Sequence, residues 1–159
     1  NVFDFMWWDE KRVGNTVFTF TPVQHWSARG LFDRSESLWG GWFMKNKTIS
    51  LFHAGDTGYS DDFKEIYKKL GSPDLAMIPI GAYSPQWFMK FSHVNPKEAV
   101  QIALDMRAKK SIGMHWGTFI LTDEPVKEPP ILLKKELVEL NLSSNFFQVV
   151  KPGEVLSLN

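Results

Sequence analysis

The stretch TISLFHAGDTGYSDDFKEIYKKLGSPDLAMIPI, residues 48–80, decides the fold. Thr48 to His53 is an apolar run that reads as a strand. Ser60-Asp61-Asp62 offers a helix cap, and Phe63, Ile66, Tyr67 and Leu70 then share one helical face. Gly71 is suited to end that helix in a left-handed conformation. Asp74 to Ile80, bounded by Pro73 and Gly81, is a second apolar run and reads as a buried strand. Strand, loop, helix and strand in that order predict an α/β (α+β) domain, a sheet covered by helices.

Working outward, Thr16 to Phe20 alternates polar and apolar, the mark of a strand with one buried face. Ser37 to Met44 and the run from Thr48 predict a hairpin about Lys45-Asn46-Lys47. Downstream, Asn95-Pro96-Lys97-Glu98 is a helix start: Asn caps, Pro fits the first turn, and Glu98 can reach back to the cap. That helix runs to Met106, and Ser111–Met114 follows as a short strand. Pro130 opens a third helix with Leu132, Leu133, Leu137 and Leu140 on its buried side. Phe146–Val150 and Val155–Leu158 are expected as closing strands about Lys151-Pro152-Gly153.

Composition removes several function classes. Eighteen basic and eighteen acidic residues balance, which argues against a nucleic-acid binder. Lys64, Lys68 and Lys69 read as one solvated helix face. With no cysteine there is no disulfide and no zinc–thiolate site, which fits a cytoplasmic, reducing compartment. No apolar run approaches the ~18 residues of a membrane span. The 13 Phe and 7 Trp suit an aromatic-rich core, with an aromatic-lined pocket or a lipid-facing surface as the functional alternative.

Three residues with metal-ligand chemistry stand in loops just after strands: His25, Asp56 and His115. Ligands of open α/β sheets bind beyond the carboxyl ends of strands, so the three can converge. Imidazole and carboxylate suit zinc, manganese or iron, and the two oxygens of Asp56 could bridge two ions. A single histidine after a strand is more often a hydrogen-bonded core or surface residue. Gly55-Asp56-Thr57-Gly58 also matches the aspartic-protease signature, but a helix cap follows where that signature's context is needed. His53, inside a strand with apolar neighbours, reads as structural, and His93 stands just before a helix cap, where it could touch an anion.

Seven segments, in order, carry a resemblance: Phe20-Thr-Pro-Val-Gln-His25-Trp26, Ser37-Leu-Trp-Gly40, Ala54-Gly-Asp56-Thr-Gly-Tyr59, Ile78-Pro-Ile-Gly-Ala-Tyr83, Pro85-Gln-Trp-Phe-Met-Lys90, His93-Val-Asn-Pro-Lys-Glu-Ala99 and His115-Trp-Gly-Thr-Phe119. The chain resembles the metallo-β-lactamase superfamily, and within it the N-acyl-phosphatidylethanolamine-hydrolysing phospholipase D branch and its bacterial relatives. The resemblance implies an αββα sandwich with two zinc ions in its cleft. It implies that His25 binds the first zinc, Asp56 bridges both, and His115 binds the second. It makes His93 the pocket histidine near the phosphate, catalytic together with Asp56. Tyr83, Trp87, Phe88 and Met89 match an aromatic segment beside the site that an acyl chain could line, or that could be a packed loop. Ser92 stands where the family often has Gln.

The family's His-x-His-x-Asp-His motif has no counterpart here, and the chain enters at once into an apolar stretch from Val2. Residues 1–159 are therefore expected to be the C-terminal half of a metallohydrolase domain, with the N-terminal half as partner. The implied reaction is hydrolysis of a phosphodiester in a phospholipid-like substrate, without a covalent intermediate. A lactone or nucleotide phosphodiester is the alternative substrate. A non-catalytic half-domain is the alternative for the isolated chain. Peripheral membrane contact and a homodimer are compatible with this reading, and a membrane span is not.

Overall fold

A computed structural model describes residues 2–151 and 153–158. Its centre is the unit read from residues 48–80: β4 (Ser50–His53), α1 (Asp62–Leu70) and β5 (Leu75–Pro79). Upstream lie β1 (Glu10–Val13), β2 (Thr16–Thr21) and β3 (Gly41–Lys45). Downstream lie α2 (Gln86–Met89), α3 (Pro96–Asp105), β6 (Lys110–Met114), α4 (Glu128–Glu139) and β7 (Phe147–Gln148). Among the described residues the seven strands form one sheet in chain order. β1 to β4 pair antiparallel, and β4 to β7 pair parallel. The expected mixed α/β class is the one observed.

The helices cover one face. Phe63 and Ile66 of α1, Val100 and Ile102 of α3, and Leu133 and Leu137 of α4 join a single core with Phe43, Phe52, Ala76, Ile78 and Phe147 of the sheet. Side chains alternate across a strand, so Trp42, Met44, Leu51 and His53 point to the other face, where all four are half-buried. An open apolar trough of about 480 Å³ lies there, lined by Phe3, Phe5, Phe18, Trp42 and Met44.

Several boundaries differ from expectation. β1 escapes sequence reading because all four of its residues are exposed and three are charged, so it has no apolar pattern. Gly14, at φ 61°, supplies the positive φ of the two-residue turn to β2. β2 does not alternate cleanly, because Phe5 and Trp42 pack against Phe20 on its second side. The third strand starts at Gly41 rather than Ser37: Trp39 leaves the ladder and donates its indole N–H to the Val23 carbonyl at 2.9 Å. Asp61 precedes α1 but makes no capping bond, its carboxylate being taken by Lys64 at 2.8 Å. The capping box of α3 forms as read. α4 begins at Glu128, two residues before Pro130. Its buried stripe is Pro129, Leu133 and Leu137; Leu132 is half-buried, and Leu140 lies beyond the helix and is exposed. The closing strand shrinks to Phe147–Gln148, where backbone pairs with β6. Residues 155–158 form no strand, and Pro152 lies outside the described residues.

One polar clamp ties β4 to β5. Asp74 accepts from the Ser50 N–H at 2.7 Å, the Ser50 hydroxyl at 2.8 Å and the Lys109 ammonium at 2.7 Å. Lys109, then the Ser50 donors, hold the Asp74 carboxyl below its ordinary value. Asp74→Ala strands the Ser50 donors and is expected to lower unfolding free energy by about 1–3 kcal/mol. Because the folded pKa is the lower one, the stabilisation is present above the unfolded value of 3.8 and is lost as pH falls through the depressed one. Urea unfolding of both proteins at pH 7 and pH 3 checks this: the gap between them narrows in acid.

Candidate metal centre

Strands β2, β4, β5 and β6 all point the same way, since β3 runs opposite to both of its neighbours. Their carboxyl ends therefore share one edge, and the loops leaving them carry His25, Asp56, the Gly81–Ser84 turn and His115. His93 arrives from between α2 and α3, with its N–H bonded to the Met89 carbonyl at 2.9 Å.

Gly58 is where three of these segments cross. Its N–H donates to the Gln24 carbonyl at 2.8 Å, and the Thr57 hydroxyl accepts from the Gln24 N–H at 3.1 Å. The Gln24 amide in turn donates to the Phe91 carbonyl at 3.2 Å. A Cβ on Gly58 would lie 2.7 Å from the Lys90 carbonyl oxygen and 2.9 Å from the Phe91 carbonyl carbon, both backbone atoms. Gly58→Ala must therefore spread the loops carrying His25, Asp56 and His93. A displacement near 1 Å at a reacting centre can cost about 10²-fold in rate, the expected fall in turnover for this variant. An unchanged rate would show that the loops yield without moving the site.

His25, Asp56 and His93 each bring one ligand-type atom within 4.8 Å of the others. His115 closes the group, its Nε2 lying 3.2 Å from Asp56 Oδ1. The His93 ring is 5.3 Å from His25, edge-on, and 5.5 Å from His115, stacked. Asp56 thus lies in reach of both His25 and His115, and His93 stands between the histidines. The sequence points to His93 as a residue for the substrate phosphate; the fold brings it into the same cluster as the expected ligands.

The donor set fits a divalent ion. His25 Nδ1–H donates to the Trp26 carbonyl at 2.7 Å, which leaves the Nε2 lone pair as its free valence. That Nε2, together with Nδ1 of His93 and of His115, is buried without a hydrogen-bond partner. Buried ring nitrogens without partners are costly, and those of His25 and His93 belong to residues whose ligand-type atoms gather with Asp56 within 4.8 Å, where an electron-poor ion would satisfy them. Burial holds the His93 pKa below its ordinary value; Asp56 opposes this, and His115 and His25 add to it. His93 is therefore neutral at pH 7, the form that binds metal.

Other expected site residues divide. Tyr83 is buried, and its hydroxyl donates to Glu128 at 2.7 Å, so its polar end is already engaged. Burial first, then Glu128, push its pKa up. Trp87 and Phe88 are exposed on α2, and Met89 is half-buried. His53 sits at the end of β4, and its Nδ1 accepts the Gly55 N–H at 3.0 Å, helping to shape the turn that presents Asp56. Glu124 went unnoticed in the sequence, where it is one acid in the loop Thr122-Asp123-Glu124; only its contacts with the Gly81–Ser84 turn distinguish it.

Residues 1–116 match the Beta-lactamase superfamily domain. The chain is 46% identical over 138 residues to N-acyl-phosphatidylethanolamine-hydrolyzing phospholipase D 1 of Caenorhabditis elegans, covering 84% of this chain and 38% of that protein. It is 40% identical over 136 residues to the mitochondrial N-acyl-phosphatidylethanolamine-hydrolyzing phospholipase D of Saccharomyces cerevisiae, covering 81% of this chain and 29% of that protein. The chain thus spans about a third of the length of these curated relatives. In fold it is similar to a metallo hydrolase from Ignicoccus hospitalis, with a TM-score of 0.71 at 21% identity, over 94% of this chain and 57% of that one.

Proposed function

The chain belongs to the metallo-β-lactamase superfamily, and from that premise we propose that the protein is a metal-dependent hydrolase of phosphodiester bonds in N-acyl-phosphatidylethanolamine-like lipids. The observation that carries the metal-dependent part is the His25, Asp56, His93 and His115 cluster with its three orphaned nitrogens. The lipid part is supported by the two relatives named for that hydrolysis. A pair of zinc ions would supply Lewis acidity and an activated water at this edge of the sheet. His25 and Asp56 would hold one ion, and Asp56 and His115 the other. Neutral His93 would sit against the phosphate and donate a ring N–H hydrogen bond to a phosphoryl oxygen. Trp26 would fix the His25 tautomer through its carbonyl.

Two protein ligands per ion, with Asp56 shared, are fewer than the three that catalytic zinc sites use. The reading therefore includes an N-terminal half-domain that brings the remaining ligands and packs on the half-buried face of Trp42, Met44 and Leu51. The half-length match to the solved metallo hydrolase supports this arrangement. Without that half, the same residues would act as a non-catalytic module. Exposed Trp87, Phe88, Phe91, Phe119 and Ile120 on segments adjoining the cluster support peripheral contact with the bilayer that holds the substrate. Among the described residues no helix is long and apolar enough to cross a membrane.

The test is turnover of the zinc-loaded protein with its N-terminal half-domain present, on N-acyl-phosphatidylethanolamine in vesicles against a soluble nucleotide phosphodiester and a lactone. The expected result is preference for the lipid by at least about tenfold in kcat/KM, roughly 1.4 kcal/mol of transition-state discrimination. Preference for either soluble ester would reject the lipid substrate and keep the hydrolase. No zinc-dependent hydrolysis of any of the three would reject both.

A further inference from the structure

We propose that Glu124 is a positioning residue that holds His115 in place by clamping the Gly81–Ser84 turn, an inference that rests on the metal-centre reading above. Glu124 Oε1 accepts the Ala82 N–H at 2.6 Å. Its Oε2 accepts the Ser84 N–H at 3.0 Å and the Thr122 hydroxyl at 2.7 Å. The grip is two-sided, because the Asp123 N–H donates to the Ser84 carbonyl at 3.2 Å. One carboxylate therefore pins the turn that leaves β5 to the loop that follows His115.

The turn bears on His115 through Gly81. A Cβ built on Gly81 would lie 2.3 Å from the His115 carbonyl oxygen, so the two backbones are in direct contact. Both sides of that contact hold uncommon conformations: Ala82 has φ 67° and His115 has φ 61°. Non-glycine residues in the left-handed region persist where their surroundings over-determine them, and such residues cluster at functional sites. The carboxylate supplies that constraint for Ala82, whose N–H it binds directly. Burial raises the Glu124 pKa, but donors from Thr122, its own backbone, Ala82 and Ser84 outweigh burial and hold it below the ordinary value. The clamp is thus ionised at pH 7, and charge-assisted bonds of this kind are the strong ones.

Partners that orient a metal ligand without touching the ion typically change metal affinity by about 10–100-fold. Glu124→Ala removes both acceptors and is expected to weaken zinc binding within that range, read by competition with a chelator. Glu124→Gln keeps the size and one accepting oxygen, so its loss should be smaller. It also guards against an Ala variant that fails to fold. In cobalt-loaded protein the visible ligand-field bands should shift in the same order. In metal-free protein the His115 imidazole resonances should move in both variants, while those of His25 stay put. Wild-type zinc affinity and cobalt spectra in both variants would overturn the proposal. So would unmoved His115 resonances, or a Glu124→Gln thermal midpoint that falls in step with its zinc affinity, which marks a merely structural role. Because the His115 resonances are read without metal, they test Glu124 even if wild-type protein binds no zinc, an outcome that would reject the metal centre itself.

Discussion

Asp56→Asn is expected to abolish hydrolysis while leaving the fold nearly intact. The substitution keeps the shape of the side chain and removes its charge, along with one of the two oxygens that could bridge two ions. Stabilisation by a bound ion is worth several kcal/mol at the transition state, so turnover should fall by roughly 10³-fold or more. Little stability is at stake: the Asp56 side chain is 43% exposed, and its ion pair is with His115. The measurement is kcat on the vesicle substrate, together with bound zinc per chain and the urea midpoint. A variant that loses zinc and turnover at an unchanged midpoint supports the metal centre. Wild-type turnover in Asp56→Asn would sink it.

The second large effect is on the core. Phe52→Ala is expected to cost about 3–5 kcal/mol, because the removed ring leaves a cavity that its neighbours fill only in part. Phe52 is wholly buried in β4, with its ring 6.4 Å from Phe43 and 6.2 Å, edge-on, from Phe63 of α1. It is the residue through which the central strand meets the first helix, and the turn bearing Asp56 begins two residues later. Exposed Phe88, at 65%, is the control, and its replacement by Ala should change stability by less than about 0.5 kcal/mol. Equal midpoints for the two variants in urea would contradict the assignment of the core to the helix-covered face.

The two halves of the sheet differ in how far they could be read. β5 and α3 are legible because burial imposes a pattern: a continuous apolar run for a strand with four of five residues buried, and a cap-proline-glutamate start for a helix. β1 is not, since an exposed edge strand that pairs with β2 on one side has no apolar periodicity. Ser37 to Gly40 looked like strand because its composition is apolar, yet Trp39 buries its ring by turning away from the ladder and bonding Val23. Leu140 looked like core because it continues a leucine run, but the helix stops before it.

The sequence by itself determined the residue types of the candidate centre and their stations. His25, Asp56 and His115 each follow a strand, and strands of one direction deliver their following loops to one edge. What it could not determine is distance. That His93 lies 5.3 Å from His25 and 5.5 Å from His115 depends on the backbone of Lys90 and Phe91, after α2, lying against Gly58, which is a matter of packing between segments far apart in the chain. That Glu124 grips the turn beneath His115 depends on a loop whose composition carries no pattern at all. Periodicity and caps are local and can be read from neighbours in sequence; a cluster of orphaned nitrogens is made by long-range closure, and only the tertiary structure decides it.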